Sequence, residues 1–291
     1  MSWQASGYHS KLAQRILAIG SGTLLFISML SIWNDLPLLY GADALFPSEL
    51  LYFRNDFELG VGLQLWSTSA YAVKALGLLY LVLCVLFCCN IGGRYTSLVL
   101  LLLHLSFFRG TVFFTYGFDQ LATIALFYYM MLPLNGTLWM FRMHLCLIYY
   151  FAGLDKMLGP TWWNGEALYK ALTLPYGHQA LLPLFQYLAQ WPLLYKISGI
   201  GIWASELIYP LFSYIKDGRY ALWYAITLHL LIAWLMQLHL FSGLMLVLNL
   251  AAWPPKILYR MLHIHSDLLN KAIAQLWNKI KRKEAIDKNY N

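Results

Sequence analysis

The stretch Tyr149-Tyr-Phe-Ala-Gly-Leu-Asp-Lys-Met-Leu-Gly-Pro-Thr-Trp-Trp-Asn-Gly165 decides how the chain is read. An apolar run enters it, and an acid and an amine, Asp155 and Lys156, stand side by side where the run ends. A Gly-Pro break follows, then a tryptophan pair. Ionisable groups beside lipid are costly, so by default they mark a site. The plainer reading is that Lys156 lays its stem along lipid and carries its ammonium to the head groups. Both readings need lipid around the run.

Composition points to that lipid. Hydrophobic residues make up 60% of the 291 and charged residues only 11%, against about a quarter charged in a soluble domain. A water-soluble globule of this size cannot hide that much apolar surface, so the solvent for most of it is a bilayer. No polar half is present, and one membrane domain over residues 1–255 is expected. The formal net charge of +7 is not a nucleic-acid signal. The bases gather in short loops and at one end, the pattern of a cytoplasmic membrane face. Cys84, Cys88, Cys89 and Cys146 all lie in apolar runs, with no zinc-like or disulfide-framework spacing. They read as packing residues.

Working outward from the central stretch, hydropathy predicts an all-α polytopic bundle of about eight transmembrane helices. The expected spans are Ile16 to Trp33, Tyr71 to Asn90, Leu98 to Phe108, Gln120 to Pro133, Met143 to Leu158, Tyr195 to Tyr214, Ala221 to Gln237 and Phe241 to Trp253. The first follows a short polar entry with Lys11 and Arg15 and reads as an uncleaved anchor. Residues 34–69 form an acid-rich interruption, expected on the outer side. Ile91-Gly-Gly-Arg94, Asn135-Gly136 and Lys216-Asp-Gly-Arg219 read as tight cytoplasmic turns. Pro160 to Trp191 is aromatic-rich and is expected to lie along the outer interface, as a helix from Asn164 broken at Gly177-His178. Residues 256–291 carry apolar residues at helical spacing among lysines, an amphipathic cytoplasmic tail against an anionic leaflet or a docked partner helix. Eight spans put both termini in the cytoplasm and the central stretch at the outer face.

Five ionisable groups then stand within or beside the membrane: Asp119, Asp155, Lys156, Glu206 and His229. Each must pair, face water or lose its charge. A desolvated Lys156 would become a usable base, whereas Glu206 or Asp155 beside it would hold its charge. His229 could relay a proton or donate a hydrogen bond to a ring oxygen. Taken singly, each also fits a helix–helix hydrogen bond. His104 and His144 read as packing. No phosphate loop, metal-ligand cluster or nucleophile–base pair appears in the apolar runs. The abundance of Trp, Tyr and Phe would suit a flat, greasy ligand such as a quinone.

Several of these pieces resemble one known family. Tyr150-Phe-Ala-Gly-Leu-Asp-Lys156 followed by Trp162-Trp-Asn-Gly-Glu-Ala-Leu168 resembles the signature of the HTTM family, the membrane domain shared with vitamin K-dependent gamma-carboxylase. Tyr40-Gly-Ala-Asp-Ala-Leu-Phe-Pro47, Tyr116-Gly-Phe-Asp119 leading to Leu132-Pro133, Ser205-Glu206-Leu with Pro210, and Thr227-Leu-His229 resemble further family elements in the same order. The likeness covers roughly residues 11–255. It implies a helical bundle whose site opens to the outer side. In the carboxylase, a lysine in the corresponding element is the base that activates vitamin K hydroquinone, and Lys156 occupies that place here. Two departures stand out. The carboxylase has a second lysine where this chain has Asp155, and it carries a large lumenal domain with no counterpart in this sequence. A family member without that domain acts in maturation of a secreted bacterial peptide toxin.

The expectation from residues and resemblance together is a bacterial inner-membrane protein that holds a lipid quinol, menaquinol or vitamin K-like. It modifies or matures an exported peptide, with or without a small soluble partner protein. Lys156, His229 and Glu206 are its catalytic candidates, and Asp155, Asp119, Trp162 and Trp163 its cofactor-binding candidates. No metal and no nucleic acid are expected. The rival is a non-catalytic membrane chaperone or complex subunit that binds a secreted partner through residues 159–192. Transport ranks last, because the sequence shows no internal repeat.

Overall fold

The computed structural model describes residues 3–41, 44–45, 69–110, 115–175, 177–255 and 257–258. Most of the acid-rich interruption, the end of the Tyr40–Pro47 motif and nearly all of the basic tail lie outside the described residues. Among those described the chain is helical, with no strand. In order come α1 (Trp3–Ser31), α2 (Leu36–Tyr40), α3 (Ala70–Cys88), α4 (Arg94–Gly110), α5 (Gly117–Met131), α6 (Thr137–Leu158), α7 (Pro160–Trp163) and α8 (Glu166–Leu172). A 3-10 turn at Gln179–Leu181 leads to α9 (Leu182–Leu188) and α10 (Pro192–Tyr214). A second such turn, Ile215–Gly218, precedes α11 (Arg219–Met236) and α12 (His239–Ala252). The chain divides into two compact units, Met1–Trp253 and Pro254–Asn291. All of the helices named here belong to the first.

Each of the eight apolar stretches of the sequence is helical. Among the described residues three helical stretches are long and apolar enough to cross a membrane: His9–Ser31, Ala70–Cys88 and Pro192–Met236. The last is two helices, because Lys216, Asp217 and Gly218 turn the chain through positive φ between α10 and α11. Arg94–Phe107 and His239–Ala252 are shorter apolar helices. Helix α6 spans 22 residues but carries Arg142, Asp155 and Lys156, which dilute its apolar character.

Local chemistry sets the helix ends. Asn90, Gly92 and Gly93 adopt positive φ and close the α3–α4 turn, and left-handed Gly136 opens α6. Gly159 ends α6 in an extended conformation because Pro160 follows it. Pro160 then starts α7, where a missing N–H costs nothing. The sequence reading misplaces some starts. Helix α1 begins at Trp3, well before Ile16, α4 runs from Arg94, and α10 begins at Pro192. The interfacial helix starts at Glu166, because Gly165 sits in the left-handed region.

Two sets of helices make the bundle. Helix α1 packs on α3, α5 and α12, and α4 packs on α3 and α5. Helix α10 packs on α6 and α11, while α12 packs on α11 and α6 and joins the sets through α1 and α5. Small contacts tie several turns to one end of the bundle. Gln14 Nε2 donates to the Tyr129 carbonyl at 3.0 Å, and the Tyr129 hydroxyl donates to Asn90 Oδ1. Arg142 Nε donates to the Ala252 carbonyl at 2.8 Å. A Cβ on Gly218 would stand 2.2 Å from the Trp253 ring. Lys11, Arg142, Lys216 and Arg219 therefore share the end opposite Lys156.

Two long helices approach backbone to backbone at the seam between α6 and α10. A Cβ on Gly153 would lie 2.8 Å from the Leu207 nitrogen and 2.9 Å from the Trp203 carbonyl oxygen. Both are backbone atoms, so neither can swing aside. Gly153→Leu is accordingly expected to force the two helices apart, at a cost of about 1–3 kcal/mol or more. Thermal unfolding of the detergent-solubilised variant measures this, and a transition equal to wild type would contradict the packing.

Candidate functional site

The α6–α10 seam carries two of the ionisable residues that the sequence singles out, Lys156 and Glu206. Cα–Cβ bonds in a helix lean toward its N-terminus, so Lys156, at the end of α6, reaches back along its own helix. Its Nζ donates to the Ala152 carbonyl at 3.3 Å and to Glu206 Oε2 at 2.6 Å. The side chain of Lys156 is 23% exposed and that of Glu206 only 8%. Pro210 lies four residues after Glu206 inside α10. It lacks the N–H that would bond the Glu206 carbonyl, which loosens the helix next to the carboxylate.

Aromatic rings surround the pair. The Trp162 ring lies 5.6 Å from Lys156 Nζ, within cation–π range. Trp163 donates from Nε1 to the Met157 carbonyl at 2.7 Å and so satisfies one of the free carbonyls at the end of α6. Its ring lies 4.9 Å from that of Trp203 on α10. Trp203 Nε1 is itself buried without a hydrogen-bond partner.

Below this level the seam continues as a chain of polar side chains. Tyr149, seven residues before Lys156, stacks on Tyr209, three residues after Glu206, with ring centroids 3.9 Å apart. Tyr149 Oη lies 2.8 Å from His229 Nε2 on α11. Asn249 on α12 links the two tyrosines, with Nδ2 3.0 Å from Tyr149 Oη and Oδ1 2.7 Å from Tyr209 Oη. Trp253 Nε1 donates to Tyr209 Oη at 3.1 Å, and the Arg142 guanidinium lies 4.6 Å from the Trp253 ring. Beside the chain, Ser205 Oγ and Tyr224 Oη are 3.0 Å apart and cross-link α10 to α11.

The structure thus gathers Lys156, Glu206, His229, Trp162 and Trp163 around one seam. It does not bring Asp155 or Asp119 there. Asp155 is exposed. Asp119 caps α5 by accepting from the Tyr116 backbone N–H at 3.2 Å. It lines a separate cavity of about 130 Å³ with Tyr40, Tyr80, His104 and Tyr116. His104, read as packing, is held there at both ring nitrogens, by Tyr80 Oη and by the Asp119 carbonyl, each at 3.0 Å. Outside the bundle, Glu166 on α8 pairs with Lys170 at 2.6 Å, which keeps its carboxyl below the ordinary range. On an open surface such a pair adds little. Among the described residues no group of His, Cys, Asp and Glu could hold a metal ion.

Sequence reasoning missed Tyr149, Tyr209, Asn249 and Trp253. A usable signal was present. Asn249 places a carboxamide inside an apolar helix, where such a group must find partners. Tyr149 and Tyr209 sit at helical spacing from Lys156 and Glu206. No family model, curated protein or solved structure matches the chain.

The unequal burial of the ion pair has a consequence for stability. Lys156→Met strands a buried carboxylate, the situation that costs about 3–5 kcal/mol. Glu206→Gln leaves Lys156 free to swing outward and should cost clearly less. The double variant Lys156→Met/Glu206→Met should recover most of the loss. Thermal denaturation followed by tryptophan fluorescence ranks the three, and equal losses in the two single variants would contradict this asymmetry.

Proposed function

We propose that this chain is a polytopic protein of the bacterial inner membrane, of HTTM type, that uses the α6–α10 seam to modify or mature an exported peptide. In this reading all eight long helices cross the bilayer. The shorter ones serve as tilted or broken spans protected by their neighbours. The shared location of Lys11, Arg142, Lys216 and Arg219 supports a cytoplasmic assignment for that end, and with it for both termini. Lys156, Trp162 and Trp163 then face the outer side.

One observation carries the functional reading: the Lys156–Glu206 bond of 2.6 Å, nearly dry on the carboxylate side and capped by Trp162. Removing water disfavours two separated charges. At rest Glu206 holds the Lys156 ammonium charged; for the amine to act as a base, its proton passes along this bond to Glu206 Oε2, which leaves a neutral amine beside a neutral acid. The amine is then a base, and Glu206 holds the proton until it is returned. Lys156 is in this account the catalytic base and Glu206 its proton store.

A lipid quinol fits the residues present. Trp203 offers a buried N–H without a partner, Trp162 and Trp163 supply flat apolar faces, and Lys156 lies among them. Such a ligand, when bound, would bring the reducing power that the chain's own side chains lack. Trp162, Trp163 and Trp203 would hold it, and Lys156 would manage its proton.

The test uses Lys156→Arg, because a guanidinium keeps the charge and the partner Glu206 but does not give up its proton. Secreted peptides of the host, with the gene deleted and then restored, are compared by mass spectrometry. Wild type should restore a mass gain, that of one carbon dioxide for a carboxylation, and Lys156→Arg should not, although it accumulates and melts like wild type. Lipid extracts of the purified protein should contain a quinone. Full restoration by Lys156→Arg, with loss on Trp162→Ala or Trp163→Ala, would assign the surface to partner binding without catalysis.

A further inference from the structure

The polar chain under the ion pair has a direction, and that direction decides what His229 can do. The indole N–H of Trp253 only donates, and it donates to Tyr209 Oη at 3.1 Å. The hydroxyl hydrogen of Tyr209 therefore goes to Asn249 Oδ1, 2.7 Å away. A second anchor fixes the amide independently. Asn249 Nδ2 lies 2.8 Å from the Met245 carbonyl, which only accepts. A flipped amide would set two oxygens against each other there. The other hydrogen on Nδ2 goes to Tyr149 Oη at 3.0 Å. Tyr149 keeps its own hydrogen to donate, and His229 Nε2, 2.8 Å away, is the acceptor in reach; the reverse arrangement would leave the hydroxyl hydrogen with no acceptor. Since Nε2 accepts, the neutral ring carries its hydrogen on Nδ1.

That Nδ1 has no partner, although His229 is only 2% exposed. An unsatisfied buried N–H is costly, so a folded protein that fixes one in place calls for an explanation. Trp203 Nε1 is a second buried N–H of the same kind. The Ser205 and Tyr224 side chains meet across α10 and α11, which run antiparallel; Trp203 precedes Ser205 on the one and His229 follows Tyr224 on the other. Both lie on the Lys156 side of that cross-link.

We propose that His229 Nδ1–H is a recognition group for the carbonyl oxygen of a flat, apolar ligand, with Trp203 Nε1–H a second donor toward the same end of the seam. The chain Trp253, Tyr209, Asn249 and Tyr149 acts as a set of positioning residues that hold His229 as a pure donor. Lone donors facing a dry interior select an acceptor. A quinone carbonyl and a phospholipid ester carbonyl are the two sources of that chemistry. The ligand class rests on the reading of the seam as a lipid-ligand site, whereas the state of His229 does not.

The full chain, with isotope-labelled histidine, is placed in lipid nanodiscs, and proton–nitrogen correlation spectra report which ring nitrogen of His229 is protonated. His229→Gln identifies the signal. The expected result is a single hydrogen on Nδ1 and a bare Nε2, lost to a mixture of tautomers in Tyr149→Phe. Protonation of Nε2, or of both nitrogens, would overturn the proposal. Menadione, with two carbonyls, should move the Nδ1–H signal downfield, and methylnaphthalene, with none, should not. Exchanging diacyl for dialkyl phosphatidylcholine in the discs separates the sources. A lipid ester is indicated if this exchange moves the signal, and a quinone if only menadione does. No response to either overturns the ligand class. Where menadione binds, its affinity should fall about tenfold in His229→Gln and much less in His229→Asn, whose amide nitrogen can replace Nδ1. Tautomer and menadione binding are also read in Lys156→Arg. If they persist there while that variant still matures secreted peptide, the base assignment fails and this site stands.

Discussion

A single charged contact, Lys156 to Glu206, sets the terms for half of this bundle. A carboxylate as deeply buried as Glu206 needs a partner within reach, and the partner has to come from another helix. Reaching it from the end of α6 requires the lysine stem to run back along its own helix. The two backbones must also approach closely enough for the ammonium to arrive. Gly153 provides that approach, since the atoms facing it are the Leu207 nitrogen and the Trp203 carbonyl of α10. Ion pair and glycine are two views of one seam, in which tight backbone packing supplies the geometry and the charge supplies the specificity.

The rest of the seam shows how a polar interior is made tolerable where water is scarce. Tyr149, Tyr209, Asn249 and Trp253 satisfy one another across α6, α10 and α12, while Arg142 closes the chain against the Trp253 ring and the Ala252 carbonyl. A half-satisfied network in such a place would be worse than an apolar core. Among the described residues three buried side-chain polar atoms are left over, on His229, Trp203 and Ser242, and the first two lie along this seam. The second cavity, with Asp119, His104 and Tyr80, is built on different helices and obeys the same rule.

Helix existence was legible because apolar runs broken by Gly, Pro and Asn leave few other solutions. The positive φ values at Gly92, Gly93, Gly136 and Gly218 fall in the turns that the sequence marks, and Asn90, read as the end of a span, joins the first of them. Helix starts were less legible. Trp3 to Arg15 is polar enough to resemble a loop and becomes helical as the leading end of α1. Lys156, Glu206 and His229 were conspicuous because charge and imidazole are rare in apolar runs. Tyrosines are common in such runs, so the helical spacing of Tyr149 and Tyr209 from Lys156 and Glu206 was a weak signal until the packing placed them ring on ring. Asp119 and Asp155 looked equivalent to Glu206 in one dimension. Only the helix assignments show that Asp119 caps α5 in another cavity and that Asp155 faces outward.

The fixed orientation of the Asn249 amide has an implication for proton traffic. A conducting water or hydroxyl wire works because each member can pass a proton on and then turn over, and an amide pinned to the Met245 carbonyl cannot turn. The string of side chains from Arg142 to His229 is therefore an insulator, although it looks like a wire. No proton passes along this string between the end of the bundle that carries Arg142 and the imidazole of His229.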